Sequence, residues 1–177
     1  NAARMHHPHF EASQENHMAS ERMSIMGTRH VISAGHYLAA HAGFQILEAG
    51  GNAIDAGVAA GIAIGVLQTD KVNFGGVAPQ IIYTAKTRQV HCIDGLGVWP
   101  KAITPDYFLR KHGGKIPKGV DRCVVPAAPD AWITALEHFG TMSFGDVASY
   151  AIRFAREGFP MHPMMSDFIK KNQETYR

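Results

Sequence analysis

The chain has 177 residues, 46% hydrophobic and 18% charged, with a formal net charge of +2. That is long enough for one domain with a real core. It is also too nearly neutral, with no basic block, for nucleic acid or an anionic membrane surface to be the partner.

Residues 1–28 are polar and irregular and read as an N-terminal arm; residues 29–177 read as one domain. His6, His7 and His9 lie in the arm. A proline interrupts them and no carboxylate or cysteine stands at ligand spacing, so no metal is expected. The segment "RHVISAG" reads as a short strand through Val31 and Ile32, punctuated by Gly35. In "YLAAHAGFQILEAGG" the residues Leu38, Ala42, Gln45, Ile46 and Ala49 fall at helical spacing, and Gly50-Gly51 supplies a stop. "NAIDAGVAAGIAIGVLQ" is a second helix, with Asn52 as N-cap and Asp55 in the first turn, where the helix dipole favours an anion. It is apolar on nearly all sides and must be buried. Interrupted by Asp55 and three glycines, it falls short of the ~20 residues that span a bilayer. Gly57, Gly61 and Gly65 share one face, which points to close packing against a neighbouring element.

"NFGGVAPQ" is a turn-rich loop leading into "IIYTAKTRQVHCIDGL", a hairpin signal: Ile81 to Thr84, a polar turn around Lys86 to Arg88, then Val90 to Ile93. After Pro100 the texture is helical. "TPDYFLRKHG" opens on Thr104 as cap with Pro105 at the first helical position, and stops at Gly113. "APDAWITALEHFG" stops at Gly140, "SFGDVASYAIRFAREG" runs from Ser143 to Gly158, and "HPMMSDFIKKNQETYR" begins a helix that the terminus cuts. The sum is an α+β chain with segregated elements. Its strands are too few for a complete sheet, so the missing ones are expected from another chain.

Candidate chemistry is sparse. The glycine pair Gly75-Gly76 either forms a backbone anion nest or lets two backbones approach closely. Gly50-Gly51 follows a helix, unlike a phosphate cradle, and joins a helix stop to a helix start. Ser33, Thr69, Ser143 and Cys123 lie in no nucleophile elbow. Cys92 adjoins His91, but neighbours on a strand face opposite ways. The two cysteines, Cys92 and Cys123, form no C-x-x-C pair and read as buried thiols in a reducing setting. No catalytic residue and no organic cofactor are expected within the chain. The expected compartment is the cytoplasm, or the periplasm if a leader has been removed.

The stretch "GHYLAAHAGFQILEAGGNAIDAGVAAGIAIGVLQTD", with "IIYTAKTRQVHCID", "TPDYF" and "HFGTMSFGDVASYAIRFAREGFPM", resembles the large subunit of the γ-glutamyltranspeptidases over roughly residues 29–170. "GGNAIDA" together with "AIRFAREGFP" is the specific part of that signal. The resemblance implies a self-processing N-terminal-nucleophile hydrolase with a four-layer αββα sandwich, completed by a second chain. It implies a small subunit cut from the same precursor, whose first residue is a nucleophilic Thr, and a higher oligomer of such heterodimers. It also implies that residues 29–177 are part of a longer large subunit.

In the transpeptidases the strand ending in Asp leads to a Phe-Arg-Glu-like triplet, whose Arg grips the substrate carboxylate. After Asp94 this chain reads Gly95, Leu96, Gly97, Val98, Trp99, Pro100, so Leu96 stands where that Arg belongs and a bidentate, charge-assisted grip is gone. The run of four glycines in the family's loop reads "GGVA" here. The expected substrate is therefore another amide, as in the cephalosporin acylases and small-amide amidohydrolases that share the scaffold. Leu96, Gly97, Val98 and Trp99 form its candidate apolar wall, although Trp99 can equally be a core residue. The alternatives are a true γ-glutamyltransferase that holds its carboxylate with Arg122 or Lys101, and a non-catalytic scaffold or binding protein with a degenerate site.

Overall fold

A computed structural model describes residues 24–175 of the chain; the three arm histidines and most of the arm lie outside the described residues. The order is α1 (Tyr37–Glu48), α2 (Ala53–Leu67), β1 (Gln80–Thr84), β2 (Gln89–Ile93), α3 (Pro105–His112), α4 (Ala128–Phe139), α5 (Phe144–Glu157) and α6 (Pro163–Lys171). Short 3-10 turns at Val120–Arg122 and Gln173–Thr175 complete it. The described residues are thus mixed α and β, with one antiparallel two-stranded sheet.

Helix boundaries follow local chemistry. Asn52 accepts from the Ile54 and Asp55 amides while the Asp55 carboxylate accepts from the Asn52 amide, a reciprocal capping box. Ser143 and Asp146 build the same device at α5. Thr104 caps α3, which ends at Gly113 in the left-handed region (φ 59°).

At the centre lies α2. It packs against α1, α4 and α5, and Val58, Ala59, Ile62, Ala63 and Leu67 are buried along it. This is the burial its apolar circumference demands. The glycine face divides. Gly61 lies under Trp132, whose indole Nε1 is 3.1 Å from where a Cβ would sit, whereas Gly57 meets nothing within 4 Å.

The hairpin rests on the helical layer through Ile82, which is buried, and through β2 against α4. Register pairs Ile81 with Cys92 and Tyr83 with Val90, so these four side chains share the opposite face. There Ile81 is 80% exposed, Tyr83 60% and Val90 63%.

Three expectations need correction. "RHVISAG" is not a strand. A strand persists only in a ladder, and this segment is instead fastened to α1, with Arg29 and His30 reaching Glu48 at 2.7 and 3.0 Å and Ile32 packed on the core. The last helix closes at Lys171, where the Asn172 amide donates to the Phe168 and Ile169 carbonyls and its side chain donates to Phe168 at 2.8 Å. Finally, both cysteines are exposed. The strand alternation that separates Cys92 from His91 puts the thiol on the uncovered face of the hairpin.

Candidate functional site

β2 ends at Ile93, and the chain continues as the irregular run 94–100. Two glycines shape it. Gly95 (φ 55°) and Gly97 (φ 75°) are left-handed, and a Cβ on them would fall 2.3 Å from the Ala78 oxygen and 2.2 Å from the Val125 oxygen. No L side chain fits there. The Gly95 carbonyl accepts the Ala78 amide at 2.8 Å and the Val98 carbonyl accepts the Val125 amide at 2.8 Å. The run is therefore threaded between the loop preceding β1 and the segment entering α4.

This threading sets out the candidate wall. Leu96 and Val98 project with 48% and 70% of their surface exposed. Trp99 is partly sheltered, edge-on to the buried Phe108 ring at 4.9 Å. The glycine loop adjoins the same place: the Gly76 carbonyl accepts from the Ala127 and Ala128 amides at 3.3 and 3.2 Å, satisfying free donors at the α4 N-terminus. The Gly76 amide donates to the Asn73 carbonyl at 3.1 Å, and Gly75 is exposed. The structure thus brings residues 76–78, 95–98 and 125–128 together through backbone bonds.

A polar network beside Trp99 was not singled out from the sequence. Asp121 accepts from Lys111 (3.0 Å) and contacts His112 Nε2 (2.8 Å). These bonds, from His112 first and then Lys111, hold its carboxyl down to about 2, and the bonds to Tyr107 and Asp121 raise the Lys111 ammonium. The network ties the loop 113–123 to α3, the helix that supports Trp99. Its signal in sequence was only a Lys-His pair at the end of α3, with Asp121 nine residues on from His112.

A separate cavity of about 590 Å³ lies between α2 and β1, lined by Gly57, Gly61, Val77, Pro79, Ile82 and Trp132 among others; none of residues 96–99 lines it. Gln80 also lines it, and its Nε2 is buried without a hydrogen-bond partner.

The possible nucleophiles do not assemble. The Ser143 hydroxyl donates to Asp146 at 2.6 Å in the α5 capping box. His91 turns inward against Phe139, with ring centroids 4.8 Å apart, while Cys92 faces outward. Among the described residues no cluster of three or more His, Cys, Asp or Glu could hold a metal, and no helix is long and apolar enough to cross a membrane.

Comparison with known proteins agrees with these observations. The chain is 33% identical over 85% of its length to a glutathione hydrolase-like proenzyme of Bacillus subtilis. It is 36% identical over 86% of its length to the acylase ACY 1 proenzyme of a Pseudomonas species. It spans 29% of the length of each of these relatives. Among solved structures, the γ-glutamyltranspeptidase of Helicobacter pylori superposes with a TM-score of 0.77 at 27% identity, covering 85% of this chain and 44% of that one. The cephalosporin acylase of Bacillus halodurans gives 0.74 at 29% identity, covering 90% and 32%. The sequence profile of the gamma-glutamyltranspeptidase family matches residues 39–177, and the chain belongs to that family.

Proposed function

We propose that this chain is a large-subunit portion of a self-processing amide hydrolase. Its nucleophile is the N-terminal Thr of a small subunit cut from the same precursor. The observation that carries this reading is the uncovered face of the hairpin. Ile81, Tyr83, Val90 and Cys92 stand together on the side away from the helices, which is the surface a second sheet covers in a four-layer αββα sandwich. Relatives described as proenzymes support the processing step.

The chemistry follows from the small subunit's terminus. An α-amine has a pKa near ~8, so a useful fraction is neutral at physiological pH. It takes the proton of its own residue's hydroxyl as the oxygen attacks the amide carbon. Backbone donors stabilise the tetrahedral oxyanion. The amine leaves with that proton, and water then hydrolyses the acyl-enzyme ester. The present chain contributes the wall of the acyl pocket through Leu96, Val98 and Trp99, which suits an uncharged or aromatic acyl group. A substrate carboxylate buried against Leu96 would lack its partner, at a cost of about 2–5 kcal/mol.

A second reading, a true γ-glutamyltransferase, draws on a glutathione hydrolase proenzyme of Bacillus subtilis subsp. natto that is 32% identical over 94% of this chain. Lys101 and Arg122, both exposed, are its candidate carboxylate holders. Turnover of a γ-glutamyl anilide against aryl amides of uncharged acyl groups, measured on the full-length protein, separates the two. The aryl amides are expected to be preferred, and Leu96→Arg is expected to move that ratio toward the anilide by about 10²-fold, the scale of a restored ionic contact of about 2–3 kcal/mol. Strong turnover of the anilide alone by the unaltered protein defeats the proposal.

A further inference from the structure

α6 is fastened to the rest of the chain by few side chains. Met165 is buried, the Lys71 ammonium lies 5.2 Å from the Phe168 ring centroid, and the His162 ring lies 5.9 Å from that of His36. The two histidines hold equivalent positions. His36 caps α1, its Nδ1 accepting the Leu38 amide at 3.2 Å. His162 caps α6, its Nδ1 accepting the Met165 amide at 3.3 Å. An imidazole that accepts at one nitrogen while neutral carries its proton on the other, so both caps require the Nε2–H tautomer. His36 is only 5% exposed, and His162 Nε2 is buried with no hydrogen-bond partner.

Protonation undoes this arrangement in three ways. A cap that gains a proton at Nδ1 loses the lone pair it offers the helix. The new charge faces the positive end of a helix dipole. It also lies close to a second ring in the same position. The titratable and charged groups around the pair are few. Tyr37 stacks on His36 with ring centroids 4.8 Å apart. Asp70 and Lys71 follow α2 and reach α6 through Lys71, and Asp167, Lys170 and Lys171 are carried by α6 itself. Among the described residues, no carboxylate is paired with either imidazole to offset a proton.

We propose that His36 and His162 form an acid-sensitive latch that holds α6 to the start of α1, closed while the His36 ring is neutral and opened when it gains a proton. Burial, and then the neighbouring His162, hold the His36 imidazole below its ordinary value. The folded chain therefore binds that proton less readily than the open one. The closed state is fully favoured above the ordinary imidazole value of ~6.5. It loses ground as pH falls below that value, by up to about tenfold per pH unit for the one proton His36 takes up.

Hydrogen exchange on the full-length protein at about pH 7.5 and about pH 5.5, corrected for intrinsic rates, tests the latch. Peptides covering residues 163–171 are expected to open about tenfold more often at the lower pH, while those covering α2 keep their protection. The double variant His36→Asn, His162→Asn retains cap acceptors but no imidazole, and its exchange is expected to be the same at both values. Equal protection of residues 163–171 in the unaltered protein at both pH values overturns the proposal, as does acid opening that persists in the double variant. If that variant does not fold, NMR titration of the His36 ring in the unaltered protein decides. A midpoint below the ordinary value supports the latch, and one at or above it overturns the latch.

Discussion

Asp55 does more than cap its own helix. Besides the Asn52 amide, its carboxylate accepts the Thr141 amide at 2.9 Å, the Thr141 hydroxyl at 2.6 Å and the Met142 amide at 3.2 Å. Asn52 completes the clasp by donating to the Phe139 carbonyl at 2.6 Å. Burial pushes the Asp55 carboxyl up, but the Thr141 hydroxyl and the amides of Asn52, Thr141 and Met142 outweigh it and leave the carboxyl below its ordinary value. Its contribution is thus present above the ordinary Asp value of ~3.9 and is lost as pH falls through the lower folded value. Asp55→Ala strands the donors of Asn52, Thr141 and Met142 and is expected to cost about 2–4 kcal/mol, and Thr141→Val about 1–2 kcal/mol, read from urea unfolding midpoints; a neutral Asp55→Ala would show that the clasp is not holding the turn. The cap was legible because "NAID" is a local pattern. Its partner 86 residues away leaves no trace in local sequence. Gly95 and Gly97 could be read as conformational glycines, but only the folded chain reveals which carbonyls they approach.

At the scale of elements, the caps and stops carried most of the helical boundaries, because each is decided within a few residues. The hairpin was legible for the same reason: its alternation and polar turn are local. The lost strand at residues 29–35 and the early end of α6 depend on partners that local patterns do not record. Trp132 also belongs here. The wall residue weighed from the sequence was Trp99, yet Trp132 is the indole that lies 3.1 Å from the Cβ position of Gly61 and fills the space between α2 and α4. It is 6% exposed and packs on Phe74 with ring centroids 5.3 Å apart. Trp132→Ala is expected to lower stability by about 3–5 kcal/mol and the thermal midpoint with it; a shift within the scatter of repeat melts would place the weight of that junction elsewhere.

At the scale of the whole molecule, the two faces of the hairpin differ. One face of the hairpin is buried on helices, and the other presents Ile81, Tyr83 and Val90 to solvent. An apolar sheet face of this kind marks an interaction site, and under the proposed function its occupant is the small subunit's sheet. Ile81→Asp in the full-length protein is expected to block assembly and processing, because it would place a carboxylate in the proposed sheet-to-sheet contact, while leaving the helical circular dichroism of this chain intact. Normal processing of that variant would mean the face stays in water. The family was legible in the sequence because its motifs are dense across residues 39–177. The reacting group was not: among the described residues hydroxyls meet bases in structural places, Thr84 with His91 (3.3 Å) in the hairpin, Ser143 with Asp146 (2.6 Å) in a helix cap and Thr141 with Asp55 (2.6 Å) in the clasp.

The central claim is that the reactive hydroxyl heads a second polypeptide cut from the same precursor. Intact-mass analysis with N-terminal sequencing of every chain in the purified, active, full-length protein tests it most directly. The account predicts two chains, with the smaller beginning at Thr; a single uncut chain of full activity, or a smaller chain beginning with a residue other than Thr, Ser or Cys, would contradict it.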